Sequence, residues 1–240
     1  MKVIEKIAEK QANIWDKDGV TIAFLGDSVT QGCFECYMID DVRLDTVFDY
    51  QSAYSTRLKQ MLNLLYPRVQ VNVINSGISG DNAIHGFERL DKDVLRYAPD
   101  LVVVAFALND STGGEQGLDG YANALKNIFT KVKENGAECI FLTPNMMDVD
   151  TSCHLKDELF IRLSKEFADI QLKGILTAYV EKAKAVAKEC DVPVCDIYAQ
   201  WLKMQKSGVN ITDILANYLN HPIRELHYYT AMKLLETMFM

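Results

Sequence analysis

The chemistry-bearing residues of this chain fall at the ends of apolar runs. The run "VTIAFL" (20–25) stops at Gly26-Asp27-Ser28. A second, "VQVNVIN" (69–75), opens into "SGISGDNA" with Gly77 and Gly80, and a third, "LVVVAFAL" (101–108), delivers Asn109. A hydroxyl, a glycine whose N–H no Cβ shields and a side-chain amide are the parts acyl transfer needs: an attacking group, and donors aimed at the oxyanion that forms. The Ser28 N–H, at the start of a helix, adds a third donor beside Gly80 and Asn109.

A serine also needs a base. Of the four histidines, His85 falls inside the helix after the Gly80 turn and His154 in a polar segment, and both stay unassigned. His227 falls within the last helical stretch and reads as structural. His221 precedes Pro222, which excludes a helical conformation for the histidine and leaves it on a loop at a helix entrance, facing the crevice. Asp27 adjoins Ser28, but neighbouring side chains point apart, so it reads as a carboxylate that orders the loop.

The elements that must position these residues follow from periodicity. Five short β-branched runs (20–25, 69–75, 101–108, 138–144 and 192–198) alternate with helical patterns over 54–66, about 83–97, 118–136 and 172–190. Most of the runs are apolar on both sides, as parallel strands covered by helices must be. With right-handed crossovers this predicts an α/β fold, a three-layer α/β/α sandwich around a five-stranded parallel sheet of order 2-1-3-4-5. That order sets the carboxyl ends of strands one, two and three side by side at the switch point, where Ser28, Gly80 and Asn109 converge. The stretch 144–171 reads as irregular, a rim or lid. With 37–52 it should line the mouth, mixing Asp, Arg and aromatics, which leans toward a polar substrate.

Composition bounds the rest. The 240 residues, 49% hydrophobic and 24% charged, suit one domain spanning 1–240. A formal net charge of −8 argues against nucleic-acid or anionic-membrane partners. No stretch reaches the roughly 18 apolar residues of a membrane span, and the N-terminus has no signal-peptide core. The six scattered cysteines do not form a secreted disulfide framework, so a cytoplasmic location is expected. Cys33-Phe34-Glu35-Cys36 is a C-x-x-C without a second half, so neither a metal nor a cofactor is expected. Met146 and Met147 read as packing.

Together, "GDSVTQG", "GISGDN", "ALND" and "NHPIRELH", in this order, resemble the four sequence blocks of the GDSL/SGNH hydrolases. The resemblance implies a flavodoxin-like sandwich and serine-based ester hydrolysis through an acyl-enzyme, with Ser28, Gly80, Asn109 and His221 in the roles argued above. Two positions depart from the pattern. Ala107 replaces a glycine frequent in the third block, and Tyr218 stands where an aspartate often completes a triad. The orienter of His221 is then sought among the amides of Asn217 and Asn220, a backbone carbonyl, and Asp213 if the segment folds back. A neutral orienter would leave the pH–rate profile rising near the ordinary histidine range, about 6.5.

Three functions follow. The first is an esterase removing small acyl groups such as acetyl from a carbohydrate or other small polar metabolite. The second is a longer-chain acylhydrolase or thioesterase, which needs an apolar trough beside Ser28. The third is a silent module that binds a small ligand without turnover. The complete set of residues favours the first two.

Overall fold

A computed structural model describes residues 1–240. Its strands are β1 (Val20–Gly26), β2 (Cys33–Met38), β3 (Leu44–Phe48), β4 (Val71–Gly77), β5 (Leu101–Ala105), β6 (Glu138–Leu142) and β7 (Val194–Cys195). Five of them form one sheet in the order β4-β1-β5-β6-β7, with every neighbouring pair parallel. Counted among the sheet strands alone, this is the order 2-1-3-4-5. The β1–β4 register runs without interruption from Val20↔Val71 to Gly26↔Gly77, so the two strands end level and their loops leave together.

The chain reverses its direction across the sheet after β4. Right-handed crossovers therefore send helix Tyr54–Leu65 to one face and helices Ala83–Glu88, Gly114–Glu134 and Ile175–Glu189 to the other. The packing agrees: Tyr54–Leu65 lies against the last helix, Arg224–Met238, and Gly114–Glu134 lies against both Ala83–Glu88 and Ile175–Glu189. Residues 22–25 of β1 and 101–104 of β5 are fully buried, because both sheet faces are covered.

Five local readings change. The segment after Ser28 forms an antiparallel hairpin, β2–β3, outside the main sheet. The stretch 144–171 is irregular only in its first part, since Glu158–Leu172 is a helix whose Phe160, Ser164, Ala168 and Gln171 recur at helical spacing on its buried side. Gly174, at φ 76°, separates it from Ile175–Glu189, so the expected helix 172–190 is the second of two. The pattern over 83–97 breaks into three short helical pieces, and the last strand shrinks to Val194–Cys195.

Candidate active site

β1 ends at Gly26 because the backbone must fold tightly there. A Cβ on Gly26 would lie 2.1 Å from Thr30 Oγ1 and 2.7 Å from the Ala105 carbonyl oxygen, so no larger residue lets the short helix Ser28–Gln31 return over the strand end. Asp27 caps that helix, accepting the Val29 N–H at 3.0 Å. The capping carboxylate leaves the Ser28 hydroxyl uncommitted. It meets His221 Nε2 at 3.0 Å, with both residues buried.

His221 Nδ1 lies 2.8 Å from the Phe34 carbonyl oxygen on β2. A carbonyl only accepts, so Nδ1 carries the proton and the Nε2 lone pair accepts from the Ser28 hydroxyl. Among the open choices it is the backbone carbonyl that meets the ring, and the named side chains bond elsewhere. Asn217 Oδ1 accepts the N–H groups of Leu219, Asn220 and His221 at 3.1, 3.0 and 2.9 Å, which winds the turn that presents the imidazole. Asn220 Oδ1 accepts from Asn217 Nδ2, and its carbonyl accepts from Asn145 Nδ2. Asp213 is exposed and accepts from Asn210 Nδ2, so the chain does not fold back to bring it to the ring. Tyr218 takes the left-handed φ of 55° this turn demands and stacks on His154 at 5.3 Å.

The donors lie across the crevice. Gly80 has φ 79°, and a Cβ there would meet no atom within 4 Å, so the glycine answers to its backbone conformation. Asn109 spends one amide hydrogen on the Asp81 carbonyl at 2.8 Å, which fixes the plane of its NH₂ and leaves the second hydrogen to the site. Ala107 is buried and keeps a positive φ of 157°, a backbone setting in which the glycine of the usual pattern is at ease.

Ser28, Gly80, Asn109 and His221 line one cavity of about 380 Å³. Its mouth is less polar than expected. The hairpin gives Leu44, Asp45, Thr46 and Phe48, and helix Glu158–Leu172 gives Phe160, Leu163 and Phe167 from one face. Of the expected charged residues, Arg43 and Asp40 pair with each other on the exposed hairpin tip.

One residue the sequence did not single out ties these loops together. Arg89 is bonded to the Asp81 carboxylate, to the Ser76 carbonyl at 2.7 Å and to the Gly26 carbonyl at 3.0 Å. An arginine closing the short helix that follows the Gly80 loop was the available signal.

Burial sets the protonation states. It pushes the His221 imidazole down from the ordinary range to about 4, against smaller opposing effects of the Phe34 carbonyl and the Glu35 charge. The expectation of an ordinary titration near 6.5 is corrected accordingly. Burial raises Asp27 to about 7 and Asp110 to about 6.

The remaining candidates sit apart. His227 is buried, its Nδ1 accepting the Tyr54 N–H at 3.2 Å, and burial takes it down to about 3. His85 is exposed, 3.7 Å from Asp81, and Met146 and Met147 are in the core. All six cysteines are free. Burial raises Cys33 to about 12 and Cys36 upward, which keeps both as thiols instead of the thiolates that metals or disulfide exchange require. No group of three or more His, Cys, Asp or Glu is disposed to hold a metal ion.

The chain matches a known family. Residues 24–227 match the model of the GDSL-like lipase/acylhydrolase family, and the chain belongs to that family. Its class of chemistry is carboxylic ester hydrolysis. Among solved structures, an acetylxylan esterase from Geobacillus stearothermophilus is 20% identical, covering 93% of this chain and 95% of that one at a TM-score of 0.66. A lipase/acylhydrolase from Enterococcus faecalis is 23% identical, covering 90% and 94% at 0.63. A two-domain esterase active on acetylated mannans is 17% identical, covering 99% of this chain and 52% of its own at 0.66. At these identities the likeness is one of fold. Comparison with curated proteins gives no match. No helix is long and apolar enough to cross a membrane.

Proposed function

We propose that the protein removes small acyl groups, acetyl foremost, from a carbohydrate or other small polar metabolite through an acyl-enzyme. Ser28 is the nucleophile in this reading, and His221 takes its proton and later returns it to the leaving alcohol. The N–H groups of Ser28 and Gly80 and the amide of Asn109 receive the oxyanion. The observation that carries the reading is the 3.0 Å contact of Ser28 Oγ with an imidazole whose tautomer the Phe34 carbonyl sets. No cofactor is needed for these steps.

The acyl group is read from the company the fold keeps. Fold neighbours include an acetylxylan esterase and an esterase active on acetylated mannans. The wall of Leu44, Phe48, Phe160, Leu163 and Phe167 favours a second reading, a longer-chain acylhydrolase or thioesterase. A net charge of −8 speaks against nucleic-acid partners, and the free thiols fit a reducing, cytoplasmic setting.

Hydrolysis of p-nitrophenyl esters of increasing acyl length decides between them. A kcat/KM that is highest for acetate and falls by C6 is expected; a maximum at C8 or beyond would replace the first reading by the second. No turnover of any ester, with a small ligand still bound, would make the site a silent binding module.

A further inference from the structure

We propose that Arg224, Glu35 and Asp49 form a positioning clamp that does the work of the absent triad carboxylate, holding the Phe34 carbonyl and a neighbouring negative charge against the imidazole of His221. This rests on the reading of Ser28 and His221 given above. The hairpin that supplies the carbonyl lies outside the main sheet, so something else must fix its distance from His221.

Arg224 supplies that link. Its two terminal nitrogens donate to the two Glu35 oxygens at 2.6 and 3.0 Å, and its Nε donates to Asp49 at 3.0 Å. The guanidinium also lies 4.3 Å from the centre of the Phe34 ring, and the same ring packs on His227 at 4.7 Å. The residue whose carbonyl orients the base is thus gripped by its ring and through the carboxylate of the next residue. Asp49 closes the base of the hairpin, its N–H donating to the Gly32 carbonyl at 2.9 Å. Arg224 is three residues after His221, so base and orienter are referenced to the same side chain. A planar fork with fixed donor directions does this where a lysine's point charge would not.

The clamp also carries charge. Two carboxylates and one guanidinium leave a formal excess of one negative charge, with Glu35 adjoining the carbonyl that Nδ1–H contacts. A negative charge there favours the imidazolium that forms when Ser28 is deprotonated. The side chains are partly exposed, so solvent screens each pair, and the distinctive contribution is geometry together with the sign of the field. The other titratable groups around His221 are Asp27 beside Ser28, Cys36 and Asp45 on the hairpin, and His227 on the last helix.

The test compares kcat, KM and the acid limb of the pH–rate profile for p-nitrophenyl acetate in Glu35→Gln, Arg224→Gln and Arg224→Lys, with melting curves to establish folding. Glu35→Gln keeps shape and removes the charge: kcat should fall about tenfold with KM little changed, and the acid limb should move to lower pH. Arg224→Gln should lower kcat by about 10–100-fold and move the limb to higher pH, since both carboxylates are then uncompensated. Arg224→Lys should return the limb to its wild-type place while kcat stays reduced, because charge is restored without the fork. A fall in kcat with all limbs unmoved, or kcat within about twofold throughout, overturns the clamp. Organophosphonate labelling of the wild type separates the two levels. Labelling at Ser28 with unaffected variants refutes the clamp alone, whereas labelling elsewhere or none refutes the underlying reading and the clamp with it.

Discussion

The two sides of the crevice are built differently. Ser28, Gly80 and Asn109 leave the carboxyl ends of three adjacent strands of one sheet, whose register holds them together and whose loops Arg89 ties at Gly26, Ser76 and Asp81. His221 and the Phe34 carbonyl stand on pieces outside that sheet: a hairpin, and a turn wound around Asn217. The sheet side inherits its precision from hydrogen-bonded strands. The other side must make its own from side-chain bonds between segments nearly two hundred residues apart.

Substitutions on the sheet side should cost rate without disturbing structure. Ser28→Ala should lower kcat for p-nitrophenyl acetate by about 10⁴-fold or more and abolish organophosphonate labelling, at an unchanged circular dichroism spectrum. Persistent labelling at Ser79 or Ser111 would move the nucleophile elsewhere. Asn109→Ala should reduce kcat by about 10²–10³ with KM nearly constant. An effect confined to KM would make Asn109 a substrate-binding residue.

The base side should betray itself in pH. With His221 at about 4, the imidazole stays neutral well below the usual range, so the acid limb of kcat/KM should lie near pH 4. An ordinary histidine of pKa about 6.5 would lose roughly 30-fold between pH 8 and pH 5. Burial pushes the Asp27 carboxyl up to about 7, so an inflection there is expected, and it should vanish in Asp27→Asn while the limb near 4 remains. Asn217→Ala removes the acceptor of three backbone N–H groups, and should cost about 1–3 kcal/mol of stability and about tenfold in kcat. If its melting curve is unchanged, the turn does not depend on that side chain.

The smallest effect expected is that of Asp213→Asn. Asp213 is exposed and bonded only within its own turn, so kcat should change by less than about twofold. A fall approaching the roughly 10⁴-fold of a lost triad aspartate would place its carboxylate at His221 during turnover and erase the contrast between the two sides.

What the sequence determined by itself lies almost wholly on the sheet side. Apolar runs of strand length alternating with helical periods dictate a parallel sheet, and its strand order brings Ser28, Gly80 and Asn109 together whatever their loops do. His221 was legible too, because Pro222 forbids helix before it, a constraint that acts between neighbours. The tertiary structure alone decided what touches Nδ1. Phe34 contributes a backbone carbonyl, which every residue has, so no residue type could announce it. Its placement arises from an arginine fork and ring packing between β2 and the last helix, contacts between segments far apart in the chain. The titration of His221 was hidden for the same reason, since burial belongs to the folded surroundings and the residue type carries only the unperturbed value.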